Sequence, residues 1–164
     1  MSLQAILKRL ALVVGVLFLA LNYVAWVRLG HAGQLPDLNP LGARPDEIFG
    51  FRDGLGFEGK ILFNEVYRIL DAVFLSGLTL LLCFVARALR PKRFWGLIIG
   101  FAVIYCIADL TENRLLAELI NEVPPQRDVA QAEAINLATR VKFAALLLSV
   151  ASLITCWRQE GKAG

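Results

Sequence analysis

Four stretches of the chain are almost entirely apolar, and polar residues separate each stretch from the next. The first runs from Leu10 to Val27, and the other three contain charge-free cores at 72–86, 94–108 and 143–157. An apolar stretch of about 17–25 residues is the pattern of a membrane-crossing helix. The pattern predicts an all-α, integral membrane four-helix bundle. We expect a single domain with spans at about 8–28, 65–87, 92–120 and 129–158.

The first apolar run has features of both a signal peptide and a membrane anchor. Lys8 and Arg9 precede it, as in a secretory signal. The run is 18 residues long, whereas the apolar part of a signal peptide is about 7–15 residues. It ends in Trp26-Val27-Arg28 rather than at a small-residue cleavage site. We expect a retained anchor.

Composition agrees with a membrane protein and excludes several other classes. Hydrophobic residues make up 57% of the chain and charged residues 19%, against about 45–50% and about 25% in soluble domains. The net charge is only +3, and the basic residues are dispersed rather than arranged along one stripe. A protein that tracks nucleic acid phosphates needs such a stripe, so we expect no nucleic acid partner.

The cysteines and the single histidine do not form a recognisable cofactor site. Cys83, Cys106 and Cys156 all lie inside apolar runs, and no C-x-x-C pair occurs. We expect these side chains to pack between helices rather than to form a disulfide framework. His31 lies in a loop, and one histidine does not make a bis-histidine haem or a zinc site. No cofactor and no metal are predicted.

The basic residues that flank the apolar runs predict the orientation. Cytoplasmic segments of membrane proteins are enriched in Lys and Arg. Both termini and the second connection are therefore predicted to be cytoplasmic, in the inner membrane of the cell. The segments 29–64 and 121–133 then face the outside. The residues that support this orientation are Lys8, Arg9, Arg87, Arg90, Lys92, Arg93, Arg158 and Lys162.

The charge-free cores of the last three runs are too short to cross a bilayer alone. Each is fifteen residues long, which corresponds to about 22 Å of helix against a hydrocarbon thickness of about 30 Å. Basic residues end these cores on the predicted cytoplasmic side. The missing turns must therefore come from the outer side, where polar residues are drawn into the outer half of the bilayer.

These outer turns carry most of the ionisable residues of the helices. Charges inside a membrane are costly, so they usually face the bundle interior and pair. Four acidic and four basic residues predict a roughly neutral ion-pair network. The predicted polar cluster is Arg68, Asp71, Asp109, Glu112, Asn113, Arg140 and Lys142, with Asn22, Glu65 and Arg114 at its periphery.

Small residues recur at helical spacing next to two of the cations. Lys142 belongs to a stripe that continues at positions 145, 149, 152 and 156, and Arg68 to one that continues at 72, 76, 79 and 83. Small residues allow membrane helices to approach closely. Both cations are therefore predicted to point inward, with Lys142 close to Asp109 or Glu112.

Two interpretations of the polar cluster remain open at this point. It is either a set of ion pairs that fixes helix register, or a polar pocket that opens to the outside and binds a ligand or moves protons. The segment 29–64 is long for a passive connection. It holds three prolines and several phenylalanines, and is either a lid over the cluster or an ordered loop packed on the bundle.

The third apolar run also carries a resemblance. Its segment 108–113, ADLTEN, contains a D-x-x-E-N pattern and resembles the third helix of small bacterial four-span membrane proteins of unknown function. A lysine often opens the last span of those proteins, where this chain has Lys142. The resemblance covers the third and fourth runs and implies a four-span membrane fold without a known activity.

Three functions are compatible with these features. The first, which we favour, is an accessory membrane component that binds membrane lipids, a membrane-protein partner or a second copy of itself. The second is an enzyme that acts on a lipid or another amphiphile with Asp109 or Glu112 as general acid or base. The third is a small proton-coupled transporter that works as an oligomer.

Overall fold

The computed structural model describes residues 2–30, 35–88 and 95–160, and within these ranges the protein is all-α. Four long apolar helices lie at Leu3–Leu29, Phe57–Ala88, Trp95–Asn121 and Val129–Arg158, each long and apolar enough to cross a bilayer. The predicted all-α fold with four such helices is confirmed. Some residues used in the orientation and cofactor predictions lie outside the described ranges: His31, Arg90, Lys92, Arg93 and Lys162.

The helices follow one another with two π-helical interruptions. Helix α1 (Leu3–Tyr23) continues into a π-helical segment at Val24–Leu29, and a 3-10 turn follows at Pro36–Leu38. The loop then forms a short helix, α2. A single continuous helix comprises α3, a π-helical segment and α4. The remaining bounds are Pro45–Gly54 for α2, Phe57–Leu62 for α3, Phe63–Tyr67 for the second π-helical segment, Arg68–Ala88 for α4, Trp95–Asn121 for α5 and Val129–Glu160 for α6.

Side chains at the helix starts satisfy the first backbone amides. The Ser2 hydroxyl accepts a hydrogen bond from the Ala5 amide at 3.3 Å. The Asp128 carboxylate accepts from the amide of Ala130 at 2.9 Å and from that of Gln131 at 3.2 Å. These are N-caps, which compensate for the missing intrahelical acceptors of the first turn. The sequence prediction that α6 starts next to Asp128 agrees with this geometry.

The four long helices pack in the order α1, α4, α5 and α6. Helix α5 packs most extensively on α6, and α4 lies between α1 and α5. Over their described lengths, α1 and α6 have no comparable contact with each other. The bundle is therefore open along one side, between its first and its last long helix.

Large apolar side chains cover the outside of the bundle. Leu12 is 70% exposed, Leu19 69% and Leu147 68%. A soluble monomer rarely exposes contiguous apolar surface of this kind, whereas acyl chains of a bilayer solvate it well. The exposure pattern agrees with the four helices being membrane spans.

Residues 35–56, the described part of the loop before the second long helix, form a cap on one end of the bundle. Ile48, Phe51 and Phe63 are buried there together with Leu119 and Ile135 from α5 and α6. The second long helix begins at Phe57, whereas the sequence pattern predicts a start at about residue 65. Charged residues in its first two turns lower the local hydropathy, so the helix extends beyond the apolar stretch from which the span at about 65–87 is predicted.

Candidate functional site

Lys142 lies at the centre of a buried polar cluster. Its ammonium nitrogen is 2.9 Å from Asp109 Oδ1 and 2.6 Å from Glu112 Oε2. All three residues are buried, with 5% or less of their surface exposed. The predicted contact of Lys142 with Asp109 or Glu112 is confirmed, and the lysine reaches both.

Helix α5 carries Asp109, Glu112 and Asn113 on one face, because residues spaced i, i+3 and i+4 lie on the same side of a helix. Asn113 donates its amide to Asp71 Oδ2 of α4 at 2.5 Å and lies 3.5 Å from Asp109 Oδ2. Thr139 of α6 donates its hydroxyl to Glu112 Oε1 at 2.5 Å. The α5 face therefore connects α4 on one side to α6 on the other.

A fourth carboxyl group comes from the loop rather than from a long helix. Asp37, in the 3-10 turn, is 3% exposed, and its Oδ2 accepts a 2.7 Å hydrogen bond from the Tyr67 hydroxyl. Within the described part of the chain, its Oδ1 has no hydrogen-bond partner. Burial raises the pKa of Asp37, while the Lys142 charge and the Tyr67 hydrogen bond oppose the shift. We call the set Asp37, Asp71, Asp109, Glu112 and Lys142 the carboxylate–lysine cluster.

Arg68 does not join this cluster, so its predicted inward orientation is wrong. The side chain is exposed, as is Glu65, and it lines an open groove between α4 and α5. The buried face of α4 instead carries Asp71, Leu75 and Leu82. The small-residue stripe that begins at Arg68 lies beside this face. The corresponding stripe of α6 is buried as predicted, at Lys142, Ala145, Ser149 and Cys156.

The other two arginines also lie on the outside of the bundle. Arg140 is exposed and donates from Nε to the Leu41 carbonyl at 2.9 Å, so it fastens the loop to α6. Arg114 forms an exposed ion pair with Glu118 at 2.8 Å. Neither guanidinium reaches the buried carboxyl groups.

The predicted charge balance of the buried network is therefore wrong. Among the described buried residues, the cluster combines four carboxyl groups with one ammonium group. The four acidic and four basic residues predicted from the sequence balanced because they included Arg68, Arg114 and Arg140. The side chains of these three arginines are exposed. Long arginine side chains can reach the interface from a helix, whereas short aspartates cannot.

A cavity of about 170 Å³ lies against the cluster. Its lining combines four cluster residues, Asn22 and two tyrosines with eight apolar residues. A cavity of about 150 Å³ holds a molecule the size of benzene, so this one has room for a small head group. The polar lining is Asn22, Asp37, Tyr67, Asp71, Tyr105, Asp109 and Lys142, and the apolar lining is Phe18, Leu21, Ala25, Leu38, Phe74, Leu78, Phe143 and Leu146.

The cavity borders the open side of the bundle. Phe18 of α1 lines it and is 51% exposed, while Phe143 and Leu146 line it from α6 across the gap. Asn22 lies next to Phe18 and donates its amide to the Phe18 carbonyl of its own helix at 2.8 Å. Asn22 was predicted at the periphery, and it lines the cavity without bonding to a cluster residue among the described contacts.

Next to the cavity and beyond it, the described interior of the bundle is mostly apolar. Leu75 and Ala145 form one buried group with Tyr105 of the cavity lining, and the buried Ser149 donates its hydroxyl to the Ile98 carbonyl at 3.1 Å. A second group lies farther from the loop, around Leu82 and Ile98. Among the described residues, no group of three His, Cys, Asp or Glu residues has an arrangement that holds a metal ion.

Sequence reasoning missed four residues of the site: Asp37, Tyr67, Tyr105 and Thr139. Thr139 lies one turn before the stripe of Lys142, so helical spacing could have included it. Tyr67 lies one turn before Asp71 in the same way. Asp37 follows Pro36 in a loop, and nothing in its local sequence indicates that it returns to the helices.

Comparison with family models, curated proteins and solved structures found no match for the chain. The chemistry of the site is therefore inferred from its own geometry and charge.

Proposed function

We propose that this is a multi-pass membrane protein that binds an amphiphilic molecule taken up sideways from the bilayer. The head group enters the cavity at the carboxylate–lysine cluster, and the apolar chain leaves through the gap between α1 and α6. The protein is then a lipid-associated accessory component rather than a passive anchor.

The observation that carries this proposal is the mixed polar and apolar lining of the cavity at the open side of the bundle. A binding site for a small molecule is typically an apolar pocket with a few convergent polar groups. Here Asp37, Asp71 and Asp109 provide the polar groups, while Phe18 and Leu146 provide apolar walls next to the gap. Lipid chains have direct access to this gap because it opens on the side of the bundle.

The geometry favours binding over acid–base catalysis. Lys142 forms salt bridges with both carboxylates that the enzyme hypothesis offers as alternatives, Asp109 and Glu112. A general acid or base must be within hydrogen-bond reach of its substrate. Glu112 does not line the cavity, and Asp109, which does, is already bound to the Lys142 ammonium group.

The geometry also favours binding over transport. A proton or solute path needs polar groups on both sides of its central site. Among the described residues beyond the cavity, the interior is mostly apolar, as at Leu75, Leu82 and Ile98. Its buried polar groups there are the hydroxyls of Ser149 and Thr79, and no Asp, Glu, Lys or Arg side chain in the described part of the chain is buried towards that end of the bundle.

The cellular location and orientation follow from the charge pattern. Arg87 and Arg158 lie at the end of the bundle opposite the loop, and Lys8 and Arg9 lie near the start of α1. The positive-inside rule then orients both termini towards the cytoplasm. We propose an inner-membrane protein whose cluster lies in the outer half of the bilayer.

Photoaffinity labelling tests the binding proposal. The protein is reconstituted in phosphatidylcholine vesicles with three probes that share one alkyl chain carrying a diazirine. Their head groups are an amine, an alcohol and a carboxylate. We expect at least one probe to label α1 or α6 beside the cavity, at residues close to Phe18 or Phe143.

Two neighbouring leucines provide a matched pair of variants. Leu146 lines the cavity, whereas Leu147 is 68% exposed on the outside of α6. Leu146→Trp fills the cavity and should lower labelling about tenfold, which corresponds to about 1.4 kcal/mol of binding. Leu147→Trp should leave labelling unchanged. If no probe labels the wild type at these helices, or if both variants label alike, the proposal is overturned.

A further inference from the structure

We propose that the cavity selects an amphiphile whose head group is a primary ammonium ion. Asp37 accepts its hydrogen bonds, and Asp71 provides a second carboxyl group in the cavity lining. This inference rests on the proposed function, because the cavity must first admit an amphiphile from the bilayer. It adds the class of head group, which the binding proposal leaves open.

Two of the carboxyl groups that line the cavity have no salt bridge within the described part of the chain. Lys142 is within 3 Å of Asp109 and Glu112, so its two salt bridges are to these residues, and it acts on Asp37 only through its charge at longer range. Among the described residues, neither Asp37 nor Asp71 has a salt bridge to a cation, although both line the cavity. Buried carboxylates are normally paired. A cationic head group between Asp37 and Asp71 would complete the pairing.

One carboxylate oxygen of Asp37 lacks a hydrogen-bond donor within the described part of the chain. Asp37 is buried and lines the cavity, and its Oδ2 is already bound to the Tyr67 hydroxyl. Its Oδ1 has no hydrogen-bond partner in the described part of the chain. A buried acceptor without a donor is costly, and this cost is removed when a ligand donates a hydrogen bond. A primary ammonium group carries three N–H donors and no acceptor.

Aromatic side chains form part of the cavity wall. Phe18 and Phe74 both line it, and their ring centroids are 5.9 Å apart. Aromatic faces attract ammonium ions through their quadrupole. An anionic head group would instead meet several carboxyl groups. Lys142 is the only described cation that lines the cavity, and it is already bound to two of them.

The labelling experiment distinguishes the head groups directly. We expect the amine probe to label about tenfold more strongly than the alcohol probe, since charge-assisted hydrogen bonds are stronger than neutral ones. The carboxylate probe should label least. A trimethylammonium probe with the same chain keeps the charge but has no N–H donor, so it should label less than the primary amine.

Asp37→Asn tests the residue that carries the selection. The asparagine side chain is nearly the same size and keeps an oxygen for Tyr67, but the substitution removes the negative charge. Labelling by the amine should fall about tenfold, whereas labelling by the alcohol should change much less. Asp46→Asn is the control, because Asp46 is an exposed acid of the same loop, with its side chain 70% exposed.

The outcomes separate this inference from the binding proposal. If the carboxylate or the alcohol labels the cavity best, the ammonium inference is overturned while amphiphile binding stands. If no probe labels the cavity, both fail. Equal labelling by the primary amine and the trimethylammonium probe would contradict the role of Asp37 as a hydrogen-bond acceptor. Should Asp37→Asn not fold, the ranking of probes on the wild type still decides the question.

Discussion

At the scale of single residues, Lys142 is the cation that the described cluster depends on. Its ammonium group lies between Asp109 and Glu112, all three buried. Removing one partner of a buried ion pair typically costs about 3–5 kcal/mol, because the opposite charge remains buried without compensation. Lys142→Met should therefore lower the thermal unfolding temperature strongly, as measured by scanning fluorimetry in mild detergent.

Arg114→Met is the matched control for this variant. Arg114 pairs with Glu118, but the pair is exposed, with the arginine side chain 80% accessible. Exposed pairs contribute about 0–1 kcal/mol, so the unfolding temperature should change little. Similar losses in the two variants would mean that the Lys142 pairs contribute no more than a surface contact.

The buried carboxyl group of Asp37 predicts a pH dependence of stability. Burial raises its pKa above the usual 3.8, so the folded protein binds the proton more tightly than the unfolded chain. The stabilising contribution is complete below pH 3.8 and is lost as pH rises through the folded-state pKa. Unfolding temperatures of the wild type should fall over this interval relative to those of Asp37→Asn, which does not titrate there.

The comparison with Asp37→Asn isolates this group from other titrating residues. Asp46→Asn provides the control, because Asp46 is exposed and pairs with Arg44 at 3.2 Å. Its unfolding temperature should follow the wild-type curve. A constant difference between the wild type and Asp37→Asn at every pH would contradict the account of a raised pKa.

The sequence predicts correctly which residues share a helix face when they lie on neighbouring turns of the same regular helix. Asp109 and Glu112 share a face by spacing, and the stripe around Lys142 set the inward direction of α6 correctly. Asp37 could not be found in this way, because a loop residue reaches the cluster only through the tertiary packing of the 3-10 turn on α2 and α6. The spacing of apolar and polar residues along the chain does not indicate such a contact.

At the scale of elements, the loop is held on the bundle by a tight turn at Gly42. This glycine has φ of 82°, and an added Cβ would clash with Asn136 Oδ1. Gly42→Ala should therefore destabilise the protein through both backbone strain and a clash. We expect a lower unfolding temperature and faster proteolysis of the segment 35–56.

Gly50→Ala is the control for the loop. Gly50 lies in α2, and a Cβ there would meet nothing within 4 Å. Alanine in a helix is favoured over glycine by about 0.5–1 kcal/mol, so this variant should be unchanged or slightly more stable. Equal destabilisation of both variants would contradict the proposed anchoring of the loop at Gly42.

The faces of α4 explain why one helix was predicted less well than another. Two neighbouring faces of α4 look alike after its first turn. One is the buried face, with Asp71 and Leu75, and the other is the stripe that begins at Arg68. Both continue with apolar or small residues. In a soluble protein the polar face would identify the outside. In a lipid environment either face tolerates apolar residues, so the pattern alone does not choose between them.

At the scale of the whole molecule, the proposed orientation can be measured by cysteine accessibility. The native cysteines are first replaced by alanine. Leu41→Cys lies in the loop, where Leu41 is 81% exposed, and Arg158→Cys lies near the end of α6. A membrane-impermeant maleimide should label position 41 in intact cells and position 158 only after permeabilisation. The reverse pattern would contradict the orientation.

The most direct test of the central claim is an experimental structure of the protein crystallised from a lipidic mesophase doped with a long-chain primary amine. The account predicts density for the amine nitrogen within hydrogen-bonding distance of Asp37 Oδ1, and an alkyl chain that leaves between Phe18 of α1 and Leu146 of α6. A bundle in which α1 closes directly against α6, or a cavity that contains only water beside the amine-saturated lipid, would contradict it.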